Sequence, residues 1–164
     1  MTGRASDVDD VTIGLISDTH GLVRPDVFAA LDGVDFILHA GDVGEGVLAE
    51  LQAIAPVSAV FGNTDPPGLP GLSQEIVREV RGVSIHVSHG HEVGSPTPAK
   101  LLARYPHDVL IYGHTHRQLV ARAEGRLVVN PGAAGARRFD LKPSVARLTI
   151  SERGAGVEIV ELKG

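Results

Sequence analysis

The sequence contains no cysteine, and Met1 is its only methionine. Without a thiol, a disulfide scaffold, a thiolate metal site and a cysteine nucleophile are all excluded. Long apolar runs are missing too: none approaches the roughly 20 residues that a membrane helix needs. The first ten residues, MTGRASDVDD, lack the basic and apolar regions of a signal peptide. Residues 1–10 therefore read as a disordered tail, and the expected location is cytoplasmic. Nor is there a surplus of positive charge. With 15 Lys and Arg against 20 Asp and Glu, the formal net charge is -5, so a nucleic-acid polymer is not an expected partner.

What is present suits an ordinary globular chain, 43% hydrophobic and 21% charged over 164 residues. That length predicts a single domain over residues 11–164 with a sizeable buried core. The eight histidines are many for this length. Any metal would have to be held by oxygen and nitrogen, here from Asp, Asn and His.

Apolar, β-branched runs predict strands at Val11–Ser17, at VDFILHAGD and at VSAVFGN. Helical patterns lie between them. Pro25 suits a first turn and Gly33 a stop in the first; GVLAELQAI forms the second, closed before Pro56. This β-α-β-α-β order implies a parallel sheet with right-handed crossovers. TDPPGLPGL, with three prolines and two glycines, must be loop. Beyond it, EIVREV and VSIHVSHG predict a hairpin around Arg81-Gly82. TPAKLLARY predicts a helix capped by Thr97, and DVLIYGHTH another strand. Two further hairpins are expected, one turning at Glu124-Gly125 and one over SVARLTISERGAGVEIVEL. The architecture expected is two sheets, parallel-rich first and antiparallel later, with helices outside.

Five of these strands end alike, with a metal-capable side chain beside a glycine. They supply Asp18 and His20, Asp42, Asn63, His89, and His114 with His116. Ligands of open α/β sheets bind outside the carboxyl ends of the strands, so the five ends can share one rim. Glycines there let backbone approach a bound group closely. Singly, each residue has an ordinary reading: Asp18 as a helix cap, Asn63 as a turn residue, the histidines as loop residues. Together they suit borderline divalent metals such as Mn, Fe, Co, Ni or Zn. Seven donors are too many for one such ion and suit two, roughly 3.5–4 Å apart, bridged by a carboxylate. Asp42, central in the set, is the bridge expected from its two oxygens.

The ordered motifs Asp18-Thr19-His20, Gly41-Asp42, Gly62-Asn63-Thr64-Asp65, His89-Gly90 and Gly113-His114-Thr115-His116 resemble the calcineurin-like metallophosphoesterases. SHGHEVG and VNPGAAGARR resemble their small, single-domain bacterial and archaeal phosphodiesterase branch. The resemblance implies an αββα four-layer sandwich, two mixed β-sheets flanked by helices. It implies that Asp18, His20, Asp42 and His116 hold one metal, and Asp42, Asn63, His89 and His114 the other. The implied activity is hydrolysis of a small phosphate ester, a diester ahead of a monoester, by a hydroxide bridging the two metals. Manganese is expected ahead of Ni, Fe, Co or Zn. Asp42, Asn63 and His91 are the expected catalytic residues, Asn63 and His91 also binding substrate; self-association is left open.

One departure stands out. Many larger members carry a histidine after the Asn to protonate the leaving group, whereas this chain has Thr64. A threonine hydroxyl has no pKa useful for that work. The same fold also serves in a retromer subunit as a protein-interaction scaffold with an impaired metal site. That non-catalytic reading is the alternative here, but none of the seven donors is missing. Other residues keep two readings each. His39 is a core histidine or the partner of a ligand, and His91 touches substrate or caps a loop. Asn130-Pro131-Gly132 is a turn or the start of a loop offering backbone donors. Arg137 and Arg138 are solvated or grip phosphate. His86 reads as structural and His107 as solvated.

Overall fold

Three hydrophobic layers organise the chain. In β1 (Val11–Ile16) and β2 (Phe36–His39), Ile13, Leu15, Phe36 and Leu38 point to one side, Ile16 and Ile37 to the other. The two faces of one sheet thus feed two separate cores, as the two-residue period of a strand requires. The computed structural model describes residues 10–66, 71–135 and 141–163.

The first sheet has the order β11-β10-β1-β2-β3-β4, with β3 at Val57–Val60, β4 at Leu72–Ser73, β10 at Ser144–Ser151 and β11 at Gly154–Glu161. From β1 to β4 the pairs are parallel; β1/β10 and β10/β11 are antiparallel. The second sheet has the order β5-β6-β7-β9-β8, with β5 at Ile76–Val80, β6 at Val83–Val87, β7 at Val109–Ile111, β8 at Leu119–Ala123 and β9 at Arg126–Asn130. Its centre, β6-β7-β9, is parallel and its two edges antiparallel.

The middle core lies between the sheets and joins Ile13, Leu15, Leu38 and Val60 to Ile85, Val87, Ile111, Val129 and Leu148. Outside the first sheet, helices α1 (Asp26–Ala30) and α2 (Val47–Gln52) bury Val27, Val47 and Leu51, with Leu31 just after α1, against Ile16, Ile37 and Val145. Outside the second, α3 (Pro98–Arg104) lays Leu101 on Leu110, Tyr112 and Val128. Helices this short are marginal alone, so packing holds them. Each fully buried Leu, Ile or Val contributes about 1.5–3 kcal/mol. The result is the α/β sandwich of two mixed sheets that the resemblance implied.

The hairpins at Arg81-Gly82 and Glu124-Gly125 form as expected, with positive φ at all four residues. Thr97 caps α3, its hydroxyl accepting from the Lys100 N–H at 3.2 Å. Three expectations need correction. The later strands are not simply antiparallel: β7 is apolar on both faces and pairs in parallel on each side, as buried strands do. The C-terminal hairpin joins the first sheet instead, because Leu148 and Ile150 extend the middle core beside β1. Helix α1 also stops at Ala30, short of Gly33. Residues 1–9 of the expected tail lie outside the described residues, as do Arg137 and Arg138; Asp10 lies 3.4 Å from Arg81.

Candidate metal centre

Every one of the seven candidates sits on a loop just beyond a strand. Asp18 and His20 follow β1, Asp42 follows β2, Asn63 follows β3, His89 follows β6, and His114 and His116 follow β7. Their donor atoms form one connected cluster. Asn63 Oδ1 lies 3.0 Å from His89 Nε2 and 3.1 Å from His114 Nδ1, and those nitrogens are 3.3 Å apart. Asp42 Oδ2 lies 3.2 Å from His89 Nε2 and 3.7 Å from His20 Nε2. Asp18 Oδ1 lies 3.5 Å from His116 Nε2 and 3.9 Å from His89 Nε2.

The local backbone is strained to achieve this. Asp18, His20, Asp42, His114 and His116 all have positive φ, between 47° and 75°. Side chains other than glycine rarely adopt it, and such residues cost on the order of 1–3 kcal/mol each. The glycines have a separate duty. A Cβ on Gly41 would lie 2.6 Å from His89 Nδ1, one on Gly62 would overlap Asp42 Oδ1, and one on Gly113 would overlap Ser17 Oγ. Only glycine admits these loops to one another.

The donor set fits divalent cations. Asp18 is buried, and its Oδ2 accepts from Ser17 Oγ–H at 2.7 Å and from the His114 N–H at 3.1 Å. Its Oδ1 is buried without a hydrogen bond and faces the His116 and His89 nitrogens. A buried carboxylate oxygen with no donor is costly, and a cation removes that cost. Among the described residues, two groups offer donor atoms that all lie within 4.8 Å of one another: Asp18, His20 and His116, and Asp18, Asp42 and His89.

The two oxygens of Asp42 have different neighbours. Its Oδ1 accepts from the Thr64 N–H at 2.9 Å, so only Oδ2 faces both His20 and His89. Burial works to raise the Asp42 carboxyl, but hydrogen bonds from His89 and Thr64 outweigh it and hold the group far below the usual carboxylate range. Burial likewise opposes the His89 cation, yet Asp42 and Asp18 push the imidazole above its ordinary value. His89 Nδ1–H donates to the Ala40 carbonyl at 2.8 Å, which leaves Nε2 as its inward donor.

Behind the donors stand residues to which the motif pattern assigned no role. His39 is fully buried, and burial lowers its pKa to about 4, so its ring is neutral at pH 7. Nδ1 accepts from the Gly41 N–H at 3.1 Å, which puts the ring proton on Nε2. Nε2–H then donates to Thr19 Oγ1 at 2.9 Å, and the Thr19 hydroxyl donates to the Val43 carbonyl at 2.7 Å. The hydrogen bonds of His39 thus go to Thr19 and Gly41 and not to a candidate ligand side chain; they tie together the segments that carry Asp18 and Asp42. Asn130 is buried and donates to the Gly113 carbonyl at 3.2 Å and to Thr115 Oγ1 at 3.0 Å, bracing the His114–His116 turn. Two backbone donors of its loop are engaged, Gly132 N–H by Asn130 Oδ1 and Ala134 N–H by the Ser17 carbonyl. The second of these bonds ties the loop to the end of β1.

His91 opens a 3₁₀ turn, His91–Val93. Its ring centroid lies 5.3 Å from that of His89 and 6.3 Å from that of His114, and its Nδ1 is buried without a hydrogen bond. Glu92 holds this loop, accepting from the Gly90 N–H at 3.0 Å and the Tyr105 hydroxyl at 2.7 Å. His86 is structural: it pairs with Glu75 at 2.6 Å and stacks on Tyr105 at 3.8 Å. His107, expected to be solvated, instead stacks on His86 at 4.9 Å with Nδ1 buried, because the β6 face beneath α3 draws both rings in.

Residues 11–153 match the calcineurin-like phosphoesterase superfamily domain. A probable metallophosphoesterase of Methanocaldococcus jannaschii is 36% identical over 151 residues, 86% of this chain and 77% of that one. A phosphodiesterase of the same archaeon is 30% identical over 139 residues, 73% of this chain and 82% of that one. Among solved structures, vacuolar protein sorting 29 of Cryptosporidium parvum superposes with a TM-score of 0.77 over 94% of this chain and 99% of that one, at 22% identity. At that identity the likeness concerns the fold.

Proposed function

The chain belongs to the calcineurin-like phosphoesterase superfamily, and on that premise we propose that it hydrolyses a small phosphate ester, a diester ahead of a monoester, at a centre of two divalent cations. One observation carries the reading: all seven candidate donors are present and converge, with Asp18 Oδ1 buried and in want of a cation. Asp18, His20, Asp42 and His116 would hold one ion; Asp42, Asn63, His89 and His114 the other. Manganese is our first choice. Bound there, the cations supply Lewis acidity toward the phosphoryl oxygens and lower the pKa of water.

The chain's own residues supply the rest. Asp42 stays ionised through the whole working pH range, since its carboxyl lies far below the usual value. Asn63 points Oδ1 at His89 and His114, which leaves its amide N–H₂ for a phosphate oxygen. His91, flanking His89 and His114 with Nδ1 unpartnered, binds the phosphoryl group or protonates the leaving oxygen. Thr64 does neither, because its N–H and hydroxyl both turn onto Asp42. The scaffold alternative is disfavoured by the completeness of the donor set, since a pure interaction module can lose a donor without penalty.

The test is a metal-dependence screen on purified protein. Bound metal is measured together with hydrolysis of aryl phosphate mono- and diesters, with and without added manganese. Two equivalents of metal and metal-dependent turnover are expected. Full metal occupancy with no turnover on any ester would leave the binding-module reading in its place.

A further inference from the structure

Asp65 belongs to the Gly62–Asp65 motif, yet neither set of cation donors includes it. It is buried, and its carboxylate is engaged on both oxygens. The Val43 N–H donates to Oδ1 at 3.1 Å and to Oδ2 at 3.0 Å; the Gly44 N–H donates to Oδ1 at 3.1 Å; the Gly62 N–H donates to Oδ2 at 2.9 Å. Val43 and Gly44 directly follow Asp42, and Gly62 directly precedes Asn63. One side chain therefore gathers backbone from the two loops that carry the second cation's oxygen donors. The turn itself does not require that side chain, because the Asp65 N–H already closes it on the Gly62 carbonyl at 3.3 Å. Gly62 cannot help with a side chain of its own, since a Cβ there would overlap Asp42 Oδ1.

We propose that Asp65 is a positioning residue. It clamps the Asp42 loop to the Asn63 loop and so sets the cation affinity of the position formed by Asp42, Asn63, His89 and His114. The proposal rests on the two-cation reading above. A carboxylate suits the task because it accepts on both oxygens and donates on neither. An asparagine of the same shape would turn one of its N–H bonds toward a backbone N–H, donor against donor. Partners that orient ligands in this way typically set affinity by 10–100-fold.

The experiment compares wild type, Asp65→Asn and Asp65→Ala. Manganese binding is followed by calorimetric titration, metal content after dialysis, and thermal unfolding with and without manganese; circular dichroism checks the metal-free fold. A folded Asp65→Asn that loses about 10–100-fold in affinity at one position, and keeps the other, is the expected result. Its manganese-induced rise in Tm should shrink to match. Asp65→Ala should move the same way. Wild-type affinity at both positions in Asp65→Asn, whatever its Tm, overturns the proposal. So does failure of Asp65→Asn to fold, which would make Asp65 a determinant of the fold instead of the centre. Wild-type stoichiometry below two would sink the two-cation reading by itself; the ratio of variant to wild-type affinity at the remaining position would still decide the clamp.

Discussion

Around Asn63, His89 and His114 the donor atoms lie within 3.3 Å of one another, whereas His20 and His116 stand 3.5–3.7 Å from the nearest carboxylate oxygens of Asp42 and Asp18. The supports differ in the same sense. His89 is fully enclosed and anchored through Nδ1 to the Ala40 carbonyl. His116 Nδ1 is buried without a partner, and the His20 side chain is 32% exposed. A donor held by a second hydrogen bond loses less freedom when a cation arrives, so affinity follows the support. On the two-cation reading, the centre would then have a more firmly held half around His89 and a looser half around His20 and His116, with Asp42 shared between them.

The sharpest way to break that comparison is to remove the joint. Asp42→Ala should empty both halves and lower hydrolysis of an activated aryl phosphodiester by about a thousandfold, the loss of several kcal/mol of charge stabilisation. The fold should persist, because the middle core is built from Ile13, Leu15, Leu38 and their neighbours and not from Asp42. Metal analysis, turnover and circular dichroism on one preparation decide it; near wild-type turnover would remove the two-cation mechanism.

Next comes a contrast between halves. His89→Ala should cost more than about 100-fold in manganese affinity, beyond what an outer partner costs. His20→Ala should release one equivalent and leave the other bound tightly. Equal losses in the two variants, read by titration, would erase the distinction between the halves. His91→Ala borders the more firmly held half without belonging to it. It should keep both metals while slowing turnover about 100-fold, the lower range for an acid or phosphate-binding group. Loss of metal as severe as in His89→Ala would move His91 among the ligands.

Smaller effects concern Thr64 and pH. Without an acid at Thr64, rates should depend steeply on leaving-group acidity, activated aryl esters reacting readily and alkyl esters poorly. Thr64→His, less well oriented than a native acid, should recover about tenfold for poor leaving groups, part of the 10²–10⁴ that a placed acid supplies. A flat leaving-group series in the wild type would mean that an acid is already at work, with His91 the residue to examine. For pH the signs can be worked out. His89 is raised in the metal-free fold, so its contribution is full below the ordinary value of 6.5 and is lost as pH climbs through the raised value. Asp42 is depressed, so its contribution is present above 3.8 and is lost only as pH falls through the depressed value. A cation must displace the His89 proton. From pH 6.5 upward the metal-free Tm should therefore fall while manganese affinity rises, by up to about tenfold per pH unit. Thermal scans and titrations across that window check both at once.

The amino-acid sequence by itself determined the local elements and the chemistry at their ends. Apolar, β-branched runs can hardly avoid becoming strands, so β1, β2, β3 and the hairpins at Arg81-Gly82 and Glu124-Gly125 were legible. So were the seven polar residues beside glycines, because a charge that closes an apolar run has no place inside a strand. Residue type and spacing are properties of the chain, and they carry that information without any fold. Tertiary structure alone decided the rest. The placement of β10 beside β1, over a hundred residues away in sequence, and the parallel run β6-β7-β9 follow from which apolar faces share the middle core. The same holds for Asp65, Asn130 and the Thr19–His39 pair. An aspartate that accepts from Val43 and a histidine that braces Gly41 look like any turn aspartate or core histidine in one dimension. Their roles arise only when two loops approach within a hydrogen bond. That approach is set by strand order, and strand order is a property of the packed core.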